Sequence, residues 1–171
     1  YRIARQFGHK IVETRPSLVA LVAKGGGWKQ LAGSSVEAEV STGKASFREN
    51  ILFTHRGLSG PAILQISNYW KKDEPVSIDL LPKIDAAARI AADHTSRQTV
   101  ANYLSQFLPQ RLTQFLAERL KINKPLAQLN KREIEAIGAA VNHWQLEFSG
   151  WLGGYNFQWA WSSGFAAGNA I

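Results

Sequence analysis

The chain has 171 residues, 45% of them hydrophobic and 19% charged, which suits a folded globular protein with a sizeable core rather than a disordered one. It carries 20 Lys and Arg against 13 Asp and Glu, so its net charge of +7 allows a phosphate-bearing partner. Zero Cys excludes disulfides, thiolate metal sites and cysteine nucleophiles together, and the absence of any Met suggests a piece of a longer chain.

Residues 1–10 read as a short amphipathic helix with Ile3, Ala4, Phe7 and Ile11 on one stripe, and the charges around it exclude a signal peptide. After Pro16, residues 18–23 predict a buried strand and Gly25-Gly26-Gly27 a flexible turn. Alternation at Val36, Ala38 and Val40 predicts a strand over 31–41. Thr42-Gly43-Lys44 is then a hairpin turn into a strand at 45–48, with a separate short strand at 51–54. Residues 55–61 read as a loop with two glycines. Ser59 or Gly60 is its helix cap, and Pro61 sits in the first turn of a helix over 62–70. A strand follows at 76–81, stopped by Pro82. Helices are predicted near 86–92, 99–107, 110–120 and 131–141, punctuated by Pro109, Pro125 and Asn130. Residues 144–148 alternate as a last strand.

Two segments stand out chemically. In the 55–61 loop, glycine backbone can come close to a ligand, and His55 can act as an acid or base near neutral pH. Tight strand-to-helix geometry explains the same glycines without a ligand. The second segment is the tail from 148 to 171, FSGWLGGYNFQWAWSSGFAAGNAI, which holds no charged residue and three of the six Trp within eleven residues. It is too polar and too Gly-rich to span a membrane and must be buried against something. A Gly153-Gly154 turn would open a helix there, with N–H donors at its start. Gly57-Leu58-Ser59-Gly60-Pro61 lacks the second glycine of a serine-hydrolase elbow, and no Walker loop is present. His9, His55, His94 and His143 are scattered, so no metal site is expected. Arg111, Arg119, Lys121, Lys124, Lys131 and Arg132 make the helical region basic, but Glu118, Glu133 and Glu135 dilute them. A solvated face is the plainer reading.

Residues 53–67, FTHRGLSGPAILQIS, closely resemble the signature of the BaiN-like (YhiN or aminoacetone-oxidase type) FAD-dependent oxidoreductases. Residues 151–164, WLGGYNFQWAWSSG, resemble that family's C-terminal flavin-contacting segment. Residues 1–9 and 78–82 also match its pattern, so the resemblance covers nearly the whole chain. It implies an α+β chain that is part of an α/β flavoprotein. A β-barrel-like insert domain with a helical cluster (18–147) would be flanked by pieces of a Rossmann-like FAD domain (1–17 and 151–171). It also implies FAD as cofactor, with Gly153, Gly154, Tyr155 and Asn156 at the flavin edge. Thr54, Gly57, Ser59 and Gly60 would form a substrate-side loop, with His55 as the catalytic group. Two departures are visible: the dinucleotide fingerprint G-x-G-x-x-G is absent, and several dozen residues that family members carry before Trp-Leu-Gly-Gly are missing. The 171 residues alone are therefore not expected to be active. The resulting expectation is a fragment of a cytoplasmic flavoprotein oxidoreductase acting on a small organic substrate, with no membrane or nucleic-acid partner. The alternatives are a non-catalytic module whose basic helices grip RNA or another polyanion, and a structural domain with the Trp-rich tail in an oligomer interface.

Overall fold

A computed structural model describes residues 1–12 and 16–153. Helix α1 (Arg2–Gln6) buries none of its residues, and Ile3 and Phe7 of the expected apolar stripe are exposed. Seven strands follow: β1 (Ala20–Ala23), β2 (Ser35–Thr42), β3 (Ala45–Thr54), β4 (Gly57–Ser59), β5 (Val76–Asp79), β6 (Trp144–Leu146) and β7 (Phe148–Leu152). They form one antiparallel sheet in the order β6-β5-β2-β3-β4-β1-β7. The two strands at the ends of that order are consecutive in the chain, with only Glu147 between them. Two Cα steps span at most about 7 Å, so the sheet must curl until its margins meet. Lys24 N–H, just past β1, donates to the Glu147 carbonyl at that junction at 2.8 Å. The sheet is therefore barrel-like, as the resemblance implied.

Alternation explains the curl. Ala38, Val40 and Thr42 of β2 are buried, as are Ile51 and Phe53 of β3, while Glu37, Glu39 and Arg48 lie on the outer face. Four sequence expectations need correction here. The strands expected at 45–48 and 51–54 are one ten-residue strand, because polar Glu49 and Asn50 stay paired to Ala38 and Glu37 on β2. Leu31 does not start β2 but ends helix α2 (Trp28–Leu31), which buries Trp28 and Leu31. Residues 57–59 are not loop but β4, hydrogen-bonded on both sides. The single last strand is two, β6 and β7, on opposite margins.

Helix α3 (Pro61–Ile66) has Gly60 as N-cap and Pro61 in its first turn, as expected. Helices α4 (Ala86–Ala92), α5 (Val100–Leu104), α6 (Gln110–Leu120) and α7 (Lys131–Asn142) form the helical cluster, with a 3₁₀ turn at Leu126–Gln128. Their starts are written locally: Asp85 and Thr99 accept from Ala88 and Asn102 N–H, and Asn130 with Glu133 forms a capping box. The cluster docks on the barrel through an aromatic group in which Trp28 stacks on Phe53 (6.5 Å) and Trp144 (6.0 Å) and meets Phe115 of α6 (6.2 Å). Gly138 lets α7 approach α4, since a Cβ there would lie 2.6 Å from the Ala87 Cβ. Among the described residues no helix is long and apolar enough to cross a membrane.

Candidate functional site

The β3–β4 hairpin turns on two residues, His55 and Arg56, both exposed. Thr54 fixes that turn, because its hydroxyl donates to the Gly57 carbonyl (3.0 Å) and accepts from Arg56 N–H (3.3 Å). Gly57 has a φ of +153°, and a Cβ there would lie 2.3 Å from Leu21 O and 2.5 Å from Ala23 N. Gly60, at φ +93°, is also pressed, though less tightly, against Asn50 O and Leu52 N, each 2.8 Å from such a Cβ. The close approach these glycines permit is thus to neighbouring strands. Ser59 pairs with Leu52 and is half-buried. Thr54 and Gly57 meet, but three strand steps, about 10 Å, carry the chain on to Gly60.

His55 lines a cleft of about 440 Å³ with the Gly25–Gly27 loop, Trp28, Lys29 and Gln30. Among the described residues the buried Nε1 of Trp28 has no hydrogen-bond partner, and stacking on Phe53 and Trp144 holds that ring. At the other end of β1 the chain enters and leaves the barrel side by side, with Ala20 opposite Leu152. Trp151 is fixed there: its ring meets Trp70 edge-on at 4.8 Å, and its Nε1 donates to Ser67 O at 3.5 Å. Gly153 follows at φ +92°, and no atom of the described residues lies within 4 Å of where a Cβ would stand. Gly154, Tyr155 and Asn156, like the expected helix beyond them, lie outside the described residues. The length of β1, about 10 Å, separates the His55 hairpin from the Gly153 exit, and the described residues do not bring the two together.

The shifted groups sit in the helical cluster. Burial, then its hydrogen bond to Asp93, pushes the Tyr103 phenol up. The Lys124 ammonium and then the Asn130 N–H pull Glu133 down, and the Arg89 guanidinium is raised by its hydrogen bond to Tyr103. Asn142, which sequence reasoning passed over, ties α7 to the barrel. Its amide donates to Asp79 Oδ1, Leu81 O and Ile84 O, and its oxygen accepts from Ala86 N–H. No local pattern announces such a hub, because its partners lie 56 to 63 residues away. Among the described residues no group of three or more His, Asp or Glu could hold a metal ion.

A barrel whose margins meet through Glu147, with helices docked by Phe115, fits a family described as "HI0933-like protein barrel and H2TH domain", which matches residues 15–155. The chain belongs to the HI0933-like family. A protein of Escherichia coli named ribosomal RNA dihydrouridine synthase is 34% identical over 97% of this chain and 54% of its own length. One of that name from Haemophilus influenzae is 32% identical over 100% of the chain and 55% of its own. A 3-dehydro-bile acid delta(4,6)-reductase of Clostridium scindens is 25% identical over 99% of the chain and 56% of its own. The HI0933-like chain thus spans about half the length of these curated relatives. The matched spans of 216 and 221 residues exceed its own 171, in line with the several dozen residues it was expected to lack.

Proposed function

We propose that this HI0933-like chain is the substrate-side barrel and helical part of a flavin-dependent reductase that adds hydrogen across a ring double bond of a base in ribosomal RNA. The names of the relatives support the chemistry. Dihydrouridine is uridine with two hydrogens added across one ring double bond, and a delta(4,6)-reductase also removes ring double bonds. A bound flavin supplies hydride for such an addition. The finer affiliation with BaiN-like FAD enzymes rests on the 53–67 and 151–164 runs. Gly153 fits the flavin edge in one respect: its side-chain-free backbone is not crowded by any of the described residues. The adjacent positions of Ala20 and Leu152 are what an inserted domain needs, since host chain can then run in and out at one place.

The observation that carries the RNA reading is the charge of the helical cluster. Arg111, Arg119, Lys121 and Arg132 are exposed and, among the described residues, have no carboxylate within 4 Å, whereas Lys124 and Lys131 are paired to Glu133 and Glu135. Unpaired surface cations are the groups that replace counterions along a phosphate backbone. The reading replaces the small organic substrate expected from sequence and joins it to the alternative of a basic polyanion-binding insert.

The test uses the full-length protein, its flavin absorbance and its affinity for a ribosomal RNA fragment at several salt concentrations. Replacing the four unpaired cations with Ala should reduce the slope of log affinity against log salt by about 3. A colourless protein that ignores added FAD, or RNA affinity unmoved by both salt and the four substitutions, would overturn the proposal. His55→Gln should change product formation by no more than about twofold. A general acid or base at that position would instead give a loss of about 100-fold or more.

A further inference from the structure

We infer that the cleft between the β2–β3 hairpin and the end of α3 is a stacking subsite for an unpaired base of an RNA strand. This rests on the reading of RNA as substrate and assigns residues outside the helical cluster. The cleft holds about 560 Å³ and is lined by Lys44, Phe47, Tyr69, Lys71 and Glu74, among others. That volume lies within the range that accommodates a nucleotide-sized ligand. Tyr69 keeps 56% of its surface exposed although it is a large aromatic beside the core. Its ring stands 5.6 Å from that of Phe47, tilted by 40°, and Phe47 in turn packs on the core. An exposed aromatic braced from behind is what a base needs to stack upon.

The surrounding backbone is set by contacts that do not involve the Tyr69 ring. The next residue, Trp70, is 2% exposed and donates from Nε1 to the Glu74 carbonyl at 2.8 Å. Glu74 N–H donates to Lys71 O at 3.1 Å, and Asp73 takes a left-handed φ of 70° to close the turn. Two cations reach the rim. Lys44 has no carboxylate within 4 Å among the described residues, while Lys71 is paired to Glu74 at 3.7 Å. The rim thus carries one uncompensated positive charge, enough to meet one phosphate of a strand whose base lies on Tyr69.

Position ties the cleft to the proposed chemistry. Ser67, two residues before Tyr69, accepts the Trp151 Nε1 hydrogen bond, and Gly153 is two residues beyond Trp151. The end of α3 thus links the subsite to the strand that leads into the proposed flavin-contacting run. The subsite is placed to hold a nucleotide flanking the reacting one.

The experiment measures binding of a single-stranded oligouridine dodecamer, and of an abasic oligomer of equal charge, to the full-length protein at several salt concentrations. Tyr69→Ala should weaken the oligouridine roughly 5- to 100-fold without changing the salt slope or the affinity for the abasic strand. Tyr69→Phe should restore binding, and Lys44→Ala should lower the slope by about 0.7. If Tyr69→Ala binds oligouridine like the parent while the four helical substitutions still lower the salt slope, the subsite is wrong and the RNA reading stands. If Tyr69→Ala weakens both strands alike, Tyr69 is not a stacking platform. If the parent binds neither strand, both inferences fall.

Discussion

Gly57 is the residue on which the hairpin depends, because the carbonyl of Leu21 and the amide of Ala23 occupy the space any side chain would need. Those are backbone atoms of a paired strand and cannot swing aside. Gly57→Ala should therefore cost about 3 kcal/mol or more, combining overpacking with a strained φ. Gly43, in the β2–β3 turn, has a φ of +55°, but none of the described residues comes within 4 Å of where a Cβ would stand. Gly43→Ala should cost only about 1 kcal/mol. Urea midpoints of the two variants measure the difference, and equal losses would show that backbone contact is not what selects glycine at 57. Sequence spacing marked both 57 and 60 as special. It left open whether a ligand or a neighbouring strand approached them, since β1 is more than thirty residues away from β4 in the chain.

At the scale of elements, helices were read best where their signals are local. The expected spans 86–92 and 110–120 coincide with α4 and α6, and 131–141 falls one residue short of α7. Asp85 and Asn130 cap their own helices and Pro109 precedes α6, so the relevant chemistry lies within four residues. Strand β4 was missed because three residues that begin on one glycine and run into another look like a turn, and only its partners β1 and β3 make it a strand. The α7 capping box also makes a prediction with a defined sign. Glu133 is held below its ordinary value by Lys124 and by the Asn130 N–H. A carboxylate lowered in the folded state stabilises it above the unfolded pKa, and that contribution is lost as pH falls through the lower folded value. Glu133→Gln should therefore reduce stability near neutral pH and show a shallower loss than the parent as pH drops from about 5 to about 3. Parallel melting-temperature profiles for parent and variant would show that the box carries no charge-dependent stabilisation.

For the whole molecule, the barrel's last strand is held along a short seam, the ladder between β1 and β7. β1 has four residues, and its pairing with β7 is broken by a register shift between Val22 and Ala23. Side chains reinforce what the ladder lacks. Trp70 lies between Phe148 (6.1 Å) and Trp151 (4.8 Å), while Ser67 and Asn68 take hydrogen bonds from the backbone at Val19 and Leu18. The seam is also where the chain exits toward the proposed flavin-contacting run, so its order bears on function as well as on folding. The helical cluster is attached elsewhere, through Trp28, Phe115, Trp144 and Asn142. Seam and cluster should consequently loosen separately. Trp151→Ala removes a half-buried ring and should cost about 2 kcal/mol, below the loss for a fully buried Trp. Amide exchange at Leu21, Val22 and Trp151 itself should accelerate, while the amides of α6 and α7 stay protected. If all these amides accelerate together, the barrel and helices unfold as one unit and the seam is no independent hinge for the exit at Gly153.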